Sequence, residues 1–81
     1  MTTIKILGTG CAKCQKLYDE ARKAVEQSGV PADVVKVESL PEIMDYGVAF
    51  TPAIVIDEEV RSSGKVLSAA RIAEMLKSLG G

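Results

Sequence analysis

The hydrophobic pattern changes its period at residue 12, and this change limits the folds that the chain can adopt. Residues 3–7 alternate around Ile4 and Ile6, as in a half-buried β-strand, and Gly8-Thr9-Gly10 follows as a turn. From Ala12 onward the apolar residues recur with helical spacing, at Leu17, Ala21, Ala24 and Val25. The pattern therefore predicts a strand, a glycine-containing turn and an amphipathic helix in direct succession.

The middle of the chain continues this alternation of strand and helix. Ser28-Gly29-Val30-Pro31 combines a glycine and a proline in the arrangement that ends a helix. Residues 34–37 are three valines and a lysine, which indicates a second strand. Ser39-Leu40-Pro41-Glu42 has the spacing of a capping box and predicts a short helix that ends near Gly47.

The last third of the chain predicts a hairpin and a final helix. Segments 53–56 and 60–63 flank the acidic residues 57–59, so we expect two antiparallel strands there. Ser68 stands where the last helix needs an N-cap. The order is strand, helix, strand, helix, strand, strand, helix, and its first strand–helix–strand unit should be a right-handed parallel crossover. The sequence thus predicts one α/β domain over residues 1–81, with a four-stranded mixed sheet flanked by three helices.

The composition argues against several functional classes. The chain carries 10 basic and 11 acidic side chains, for a net charge of −1. This balance gives no electrostatic basis for binding nucleic acid or an anionic membrane. Histidine is absent from the sequence, so the commonest acid–base group near neutral pH and the commonest metal ligand are both missing.

Two cysteines, Cys11 and Cys14, lie at the predicted start of the first helix, and the sequence contains no others. The first residues lack the apolar stretch of a secretory signal, and the aliphatic run at 53–56 is far shorter than the ~20 residues of a spanning helix. We therefore expect a cytoplasmic protein. In that compartment a structural disulfide is not the default, and a cysteine pair is more often catalytic or metal-binding.

The position of Cys11 at the helix N-cap favours a reactive thiolate. No Ser, Thr, Asp or Asn occupies the cap, so a thiolate on Cys11 would accept the unpaired N–H groups of the first turn. This should lower the pKa of Cys11 below the value of about 8.5 for a free thiol, and Lys13 and Lys16 add positive charge. Cys14 lies one turn further on and should be less exposed. These features predict that Cys11 attacks a substrate disulfide and that Cys14 resolves the mixed disulfide.

Three interpretations of the cysteine pair remain open on this evidence. The two residues can be small hydrophobes whose spacing is incidental. They can also bind a soft metal such as copper(I), whereas a closed zinc site takes four ligands and would have to be shared between two molecules. Thiol–disulfide exchange is favoured, because a CxxC motif beside a strand–helix–strand pattern in a cytosolic protein is typical of redox proteins.

Three segments together resemble the thioredoxin–glutaredoxin superfamily, and most closely its small prokaryotic thioredoxin-like redox-active disulfide proteins. They are Gly8-Thr9-Gly10-Cys11-Ala12-Lys13-Cys14, residues 46–53 with Thr51-Pro52, and residues 64–68. The main structural rival is the heavy-metal-associated domain, which also has a CxxC before its first helix. That domain ends in a strand, whereas this chain is predicted to end in a helix and carries Thr-Pro before a strand.

The resemblance implies a thiol–disulfide oxidoreductase in which Cys11 and Cys14 are catalytic and their redox-active disulfide serves without a further cofactor or metal. It implies a cis Thr51–Pro52 bond, beside which an extended substrate segment pairs with exposed backbone. The implied partners are disulfide-containing proteins and an electron donor of the thioredoxin-reductase type, and we expect a monomer. The predicted substrate-binding residues are Gly10, Ala12, Lys13, Thr51 and Pro52.

The sequence also departs from the superfamily pattern at two positions that bear on mechanism. Thioredoxins place a buried acid six residues before the first cysteine, as the proton acceptor for the second thiol. Lys5 stands there in this chain, so that role is vacant or filled by water. Glutaredoxins hold glutathione with Gly-Gly followed by acids, whereas residues 64–68 offer only Gly64 and no carboxylate. Glutathione capture is therefore not expected.

Overall fold

The chain forms a four-stranded sheet with helices on both faces, in a computed structural model that describes residues 2–10 and 12–80. The elements, in the predicted order, are β1 (Thr2–Leu7), α1 (Ala12–Ser28), β2 (Ala32–Val37), α2 (Leu40–Asp45), β3 (Ala53–Ile56), β4 (Glu59–Ser63) and α3 (Ala69–Gly80). The strand order is β2-β1-β3-β4. β1 pairs in parallel with β2 and antiparallel with β3, which forms an antiparallel hairpin with β4. The predicted mixed sheet, parallel unit and hairpin are confirmed.

The alternation of side chains in β1 divides the core between the two faces of the sheet. Ile4 and Ile6 belong to the larger cluster, which also contains buried residues of α1, β3 and α3, including Leu17, Ala21, Ala24, Ile54, Ile56, Ile72 and Leu76. Leu7 belongs to the smaller cluster, together with Val37, Ile43, Ala53 and Val55. Because α2 has only 6 residues, this second face is covered by a short element, and we call it the α2 face.

The helix ends confirm two predictions and correct a third. Gly29 follows α1 with a φ of 69°, and its N–H donates to the Val25 carbonyl at 3.2 Å. The N–H of Arg71 donates to Ser68 Oγ at 3.3 Å, so α3 has its predicted cap.

The predicted capping box at α2 is wrong. Ser39 is the N-cap residue, but its side chain makes no cap hydrogen bond. Pro41 occupies the second position of the helix and has no N–H, which removes one of the two donors that an N-cap side chain can use. The helix instead begins with the N–H of Ile43 donating to the Ser39 carbonyl at 3.0 Å.

Candidate active site

One edge of the sheet collects the segments that the sequence analysis singled out. The carboxyl end of β1 passes into Gly8, whose N–H donates to the Val37 carbonyl at the end of β2, at 3.0 Å. β3 runs the other way, so its first residue, Ala53, pairs with Leu7. The turn before α1 and the segment Thr51-Pro52 therefore meet at the same edge.

Cys14 lies in the first turn of α1 and is buried, with 6% of its surface exposed. It packs directly against the backbone of Gly8: a Cβ at position 8 would overlap Cys14 Sγ and would lie 3.0 Å from Cys14 Cβ and 4.0 Å from Thr51 Cβ. Gly8 is thus the position where the chain must lack a side chain for Cys14 to pack here. Cys11 lies outside the described residues, so its role as the attacking thiol remains a prediction.

The remaining predicted site residues surround this point. Gly10 is exposed and has a φ of 83°, and Ala12 and Lys13 are exposed in the first turn of α1. These residues can contact a partner without any rearrangement of the core. Gly10 also occupies a left-handed conformation that residues with a side chain rarely adopt.

The Thr51–Pro52 peptide bond is cis, as the resemblance implied. Pro52 is buried, and its carbonyl accepts the N–H of Gly64 at 2.8 Å, while Thr51 is exposed. Within the described part of the chain, no backbone hydrogen bond uses the N–H or carbonyl of Thr51. Pro52 therefore anchors the segment, and Thr51 presents unpaired backbone to solvent.

Phe50 is a residue of this edge to which the sequence analysis assigned no role. Its side chain is 70% exposed, and a Cβ at Gly64 would lie 3.1 Å from Phe50 Cβ. The absence of a side chain at Gly64 therefore leaves room for the ring immediately before Thr51. A lone aromatic residue next to Thr-Pro was the available signal in the sequence.

A cavity of about 30 Å³ lies beside Cys14 and also involves residues of β2 and the loop after it. The Nζ of Lys36 donates to Gln15 Oε1 at 2.7 Å and lies 4.6 Å from the centre of the Tyr18 ring. Glu38 Oε2 lies 3.7 Å from where a Cβ of Gly10 would be. The residues that line the cavity are Ile6, Gly8, Gly10, Cys14, Gln15, Lys36 and Glu38.

Lys5 makes an ion pair with Glu58 and a hydrogen bond with Tyr46. Its position in β1 alternates with Ile4 and Ile6, so it lies on the α2 face, where its Nζ is 2.7 Å from both Glu58 Oε1 and the Tyr46 hydroxyl. Tyr46 in turn donates to Glu58 Oε2 at 3.1 Å. Donation from the Lys5 ammonium to Glu58 and Tyr46 raises the pKa of Lys5, and acceptance of the Lys5 hydrogen bond lowers the pKa of Glu58. A paired cation thus occupies the position where thioredoxins carry their proton acceptor.

The described residues meet neither the requirements of a metal site nor those of a membrane-spanning helix. Among residues 2–10 and 12–80, no three or more Cys, Asp or Glu side chains are grouped so that they could hold a metal ion. The acidic turn instead uses Asp57 to accept the Thr3 N–H and Glu59 to pair with Arg61 at 2.9 Å. Over the same residues, every helix is too short or too polar to cross a bilayer.

Comparison with known proteins finds similarity along nearly the whole chain. The thioredoxin domain family matches residues 2–77. A thioredoxin from Methanocaldococcus jannaschii is 42% identical over 78 residues, which cover 96% of this chain and 90% of the relative. A thioredoxin from Methanothermobacter thermautotrophicus is 37% identical over 76 residues, which cover 94% of this chain and 99% of the relative.

Proposed function

The chain belongs to the thioredoxin family and is a thioredoxin-like disulfide reductase, and we propose that it acts by exchanging a Cys11–Cys14 dithiol with the disulfides of protein substrates. One observation carries this proposal: a buried Cys14 at the start of α1 lies near an exposed Thr51 that precedes a cis proline. Among the described residues, none makes a backbone hydrogen bond to Thr51. A cysteine sulfur and exposed backbone on which an extended segment could pair then lie at one edge of the sheet.

The chemistry proceeds in two exchanges that conserve atoms and electrons. The Cys11 thiolate attacks one sulfur of the substrate disulfide, forms a mixed disulfide and releases the other substrate sulfur as a thiolate. Cys14 loses its proton and attacks the Cys11 sulfur, which forms the Cys11–Cys14 disulfide and releases the second substrate thiolate. Two electrons have then passed to the substrate, and both of its thiolates take up protons.

The substrate is held by backbone pairing in this proposal. An extended segment beside the substrate disulfide would hydrogen-bond to the N–H and carbonyl of Thr51, as in other cases of strand addition. The exposed residues Gly10, Ala12 and Lys13 border the same edge and would contact the other side of that segment. Backbone pairing is independent of sequence, so one such site serves many protein disulfides.

Turnover requires a source of electrons and a reducing environment. We place the protein in the cytoplasm, where a CxxC pair outside any structural disulfide framework is typical of redox function. A donor of the thioredoxin-reductase type would reduce the Cys11–Cys14 disulfide after each cycle.

Trapping variants test the assigned roles of the two cysteines. Cys14→Ser removes the resolving thiol, so a mixed disulfide between Cys11 and a protein substrate should accumulate and be visible on non-reducing gels. Cys11→Ser should trap nothing, because Cys14 is buried. Equal trapping by the two variants would refute the assignment. Stoichiometric copper(I) binding by the reduced protein, without any disulfide reduction, would instead support a metal carrier.

A further inference from the structure

We propose that Glu38 accepts the proton of the Cys14 thiol, through the cavity that both residues line, when Cys14 attacks the mixed disulfide. This inference rests on the proposed function, because it assigns a residue to the second exchange. It also names a proton acceptor for the second thiol, a role that Lys5 does not fill because it is bound to Glu58 and Tyr46 on the α2 face.

Two glycines line the cavity, one next to the sulfur and the other next to the carboxylate. Gly8 lies against Cys14 Sγ, and Glu38 Oε2 lies 3.7 Å from where a Cβ of Gly10 would be. Both glycines line the same cavity as Cys14 and Glu38. Neither glycine therefore places a side chain in the cavity that Cys14 and Glu38 both line.

The cavity has the size and lining to carry a proton through water. Its volume of about 30 Å³ exceeds the ~10–15 Å³ that one water molecule needs. A bridging water also needs two to four polar partners, and Cys14, Gln15, Lys36 and Glu38 are in the lining. Glu38 is exposed on its other side, so a proton that reaches its carboxylate can leave to bulk solvent.

The charged groups around the cavity select Glu38 as the acceptor. Lys36 and Glu38 face it from β2 and the following residue, α1 contributes the uncharged Gln15, and β1 with its turn contributes Ile6 and two glycines. Glu38 is thus the carboxylate among the described lining residues. The Nζ of Lys36 donates a hydrogen bond to Gln15 Oε1 at 2.7 Å. This bond orients the Gln15 amide at the rim of the cavity.

A purely electrostatic role for Glu38 predicts the opposite change in the rate of the second exchange. The electrostatic role and the proton-acceptor role can therefore be distinguished by experiment. A negative charge near a thiol disfavours the thiolate. If that were its only effect, removing the charge would make Cys14 a better nucleophile and speed the second exchange. A proton acceptor has the reverse effect, because its removal slows that exchange.

Stopped-flow reaction of the reduced protein with dithiobis-nitrobenzoate resolves the two exchanges. Attack by Cys11 releases one coloured thiolate in a phase that depends on probe concentration, and attack by Cys14 releases a second in a phase that does not. At pH 7, Glu38→Gln should slow the second phase by about tenfold, less than the hundredfold or more typical of direct general bases, because the proton passes through water. The first phase should change little.

Two further variants and the pH profile complete the test. Glu38→Asp keeps a carboxylate one methylene shorter and should retain part of the rate, whereas Glu42→Gln removes a carboxylate of α2 that does not line the cavity and should retain all of it. The deficit of Glu38→Gln should shrink as pH rises, because hydroxide then removes the thiol proton. A second phase that is unchanged or faster in Glu38→Gln would overturn the inference alone, while release of only one thiolate by the native chain would refute the proposed function.

Discussion

Replacing Gly8 with alanine should destabilise the protein by about 2 kcal/mol, through contact with Cys14. Gly8 does not have a positive φ, so alanine introduces no backbone strain there. The added Cβ would instead overlap Cys14 Sγ and lie 3.0 Å from Cys14 Cβ. The overlap cannot be relieved easily, because the Gly8 N–H is bound to Val37 and Cys14 is buried on α1. Extra volume in a packed core typically costs about 1–3 kcal/mol.

Urea and thermal unfolding of the reduced protein measure this cost. For a domain of 81 residues, a loss of about 2 kcal/mol lowers the melting temperature by roughly 10 °C. A double-mutant cycle with Cys14→Ala then identifies the source, since that variant removes Sγ and keeps Cβ. We expect Gly8→Ala to cost about 1 kcal/mol less in the Cys14→Ala background, a coupling of the size seen for residues in contact.

Gly47 provides the control for this cycle. It has a φ of 72°, and a Cβ there would meet nothing within 4 Å. Gly47→Ala should therefore cost backbone strain alone and add to Cys14→Ala without coupling. The steric argument fails if Gly8→Ala costs less than about 0.5 kcal/mol, or if it costs the same with and without the sulfur.

Two further predictions concern charges and caps. Lys5→Met should raise the pKa of Glu58 toward its ordinary value, because the ammonium that stabilises the carboxylate is lost. An NMR titration in which the pKa of the Glu58 carboxyl is the same in Lys5→Met and in the native chain would contradict this. The depressed pKa of Glu58 adds stability that is present above the unfolded value of about 4.3 and is lost as pH falls through the folded value. Lys5→Met should therefore lose less stability than the native chain in urea unfolding as pH falls below about 4. Ser68→Ala should cost about 1 kcal/mol, because it removes an N-cap hydrogen bond, whereas Ser39→Ala should cost less than about 0.5 kcal/mol; equal losses in thermal unfolding would exclude the cap assignment.

The elements with a strong apolar pattern could be predicted closely from the sequence. α1 begins at Ala12 and β3 covers Ala53–Ile56, as the periodicity indicates. β2 begins at Ala32, two residues before the valines that predict it. Its extra residues pair with Thr2 and Thr3 of β1, but Asp33 is exposed. An edge strand is defined there by backbone pairing, which a hydrophobic pattern does not record.

The candidate site could be predicted only where residues close in sequence carry it. The CxxC motif and Thr51-Pro52 are local signatures, and the structure places both Cys14 and Thr51 next to Gly8. Lys36 and Glu38 reach the cavity through the register of the parallel pair, in which Ile6 lies opposite Lys36. That register is set by packing over the whole sheet, so no local pattern in the sequence marks these two residues as part of the site.

The small size of the domain gives a physical reason why the acid, Glu38, follows an edge strand and does not lie in the central strand β1. β1 is a central strand, and an acid buried there must be compensated by hydrogen bonds or a partner charge. A chain of 81 residues has a small core with which to compensate that penalty, and among the described residues no polar or charged side chain is buried. β2 is an edge strand, so the carboxylate of Glu38 remains in water on one side and lines the cavity of Cys14 on the other. The same reaction then needs no buried charge.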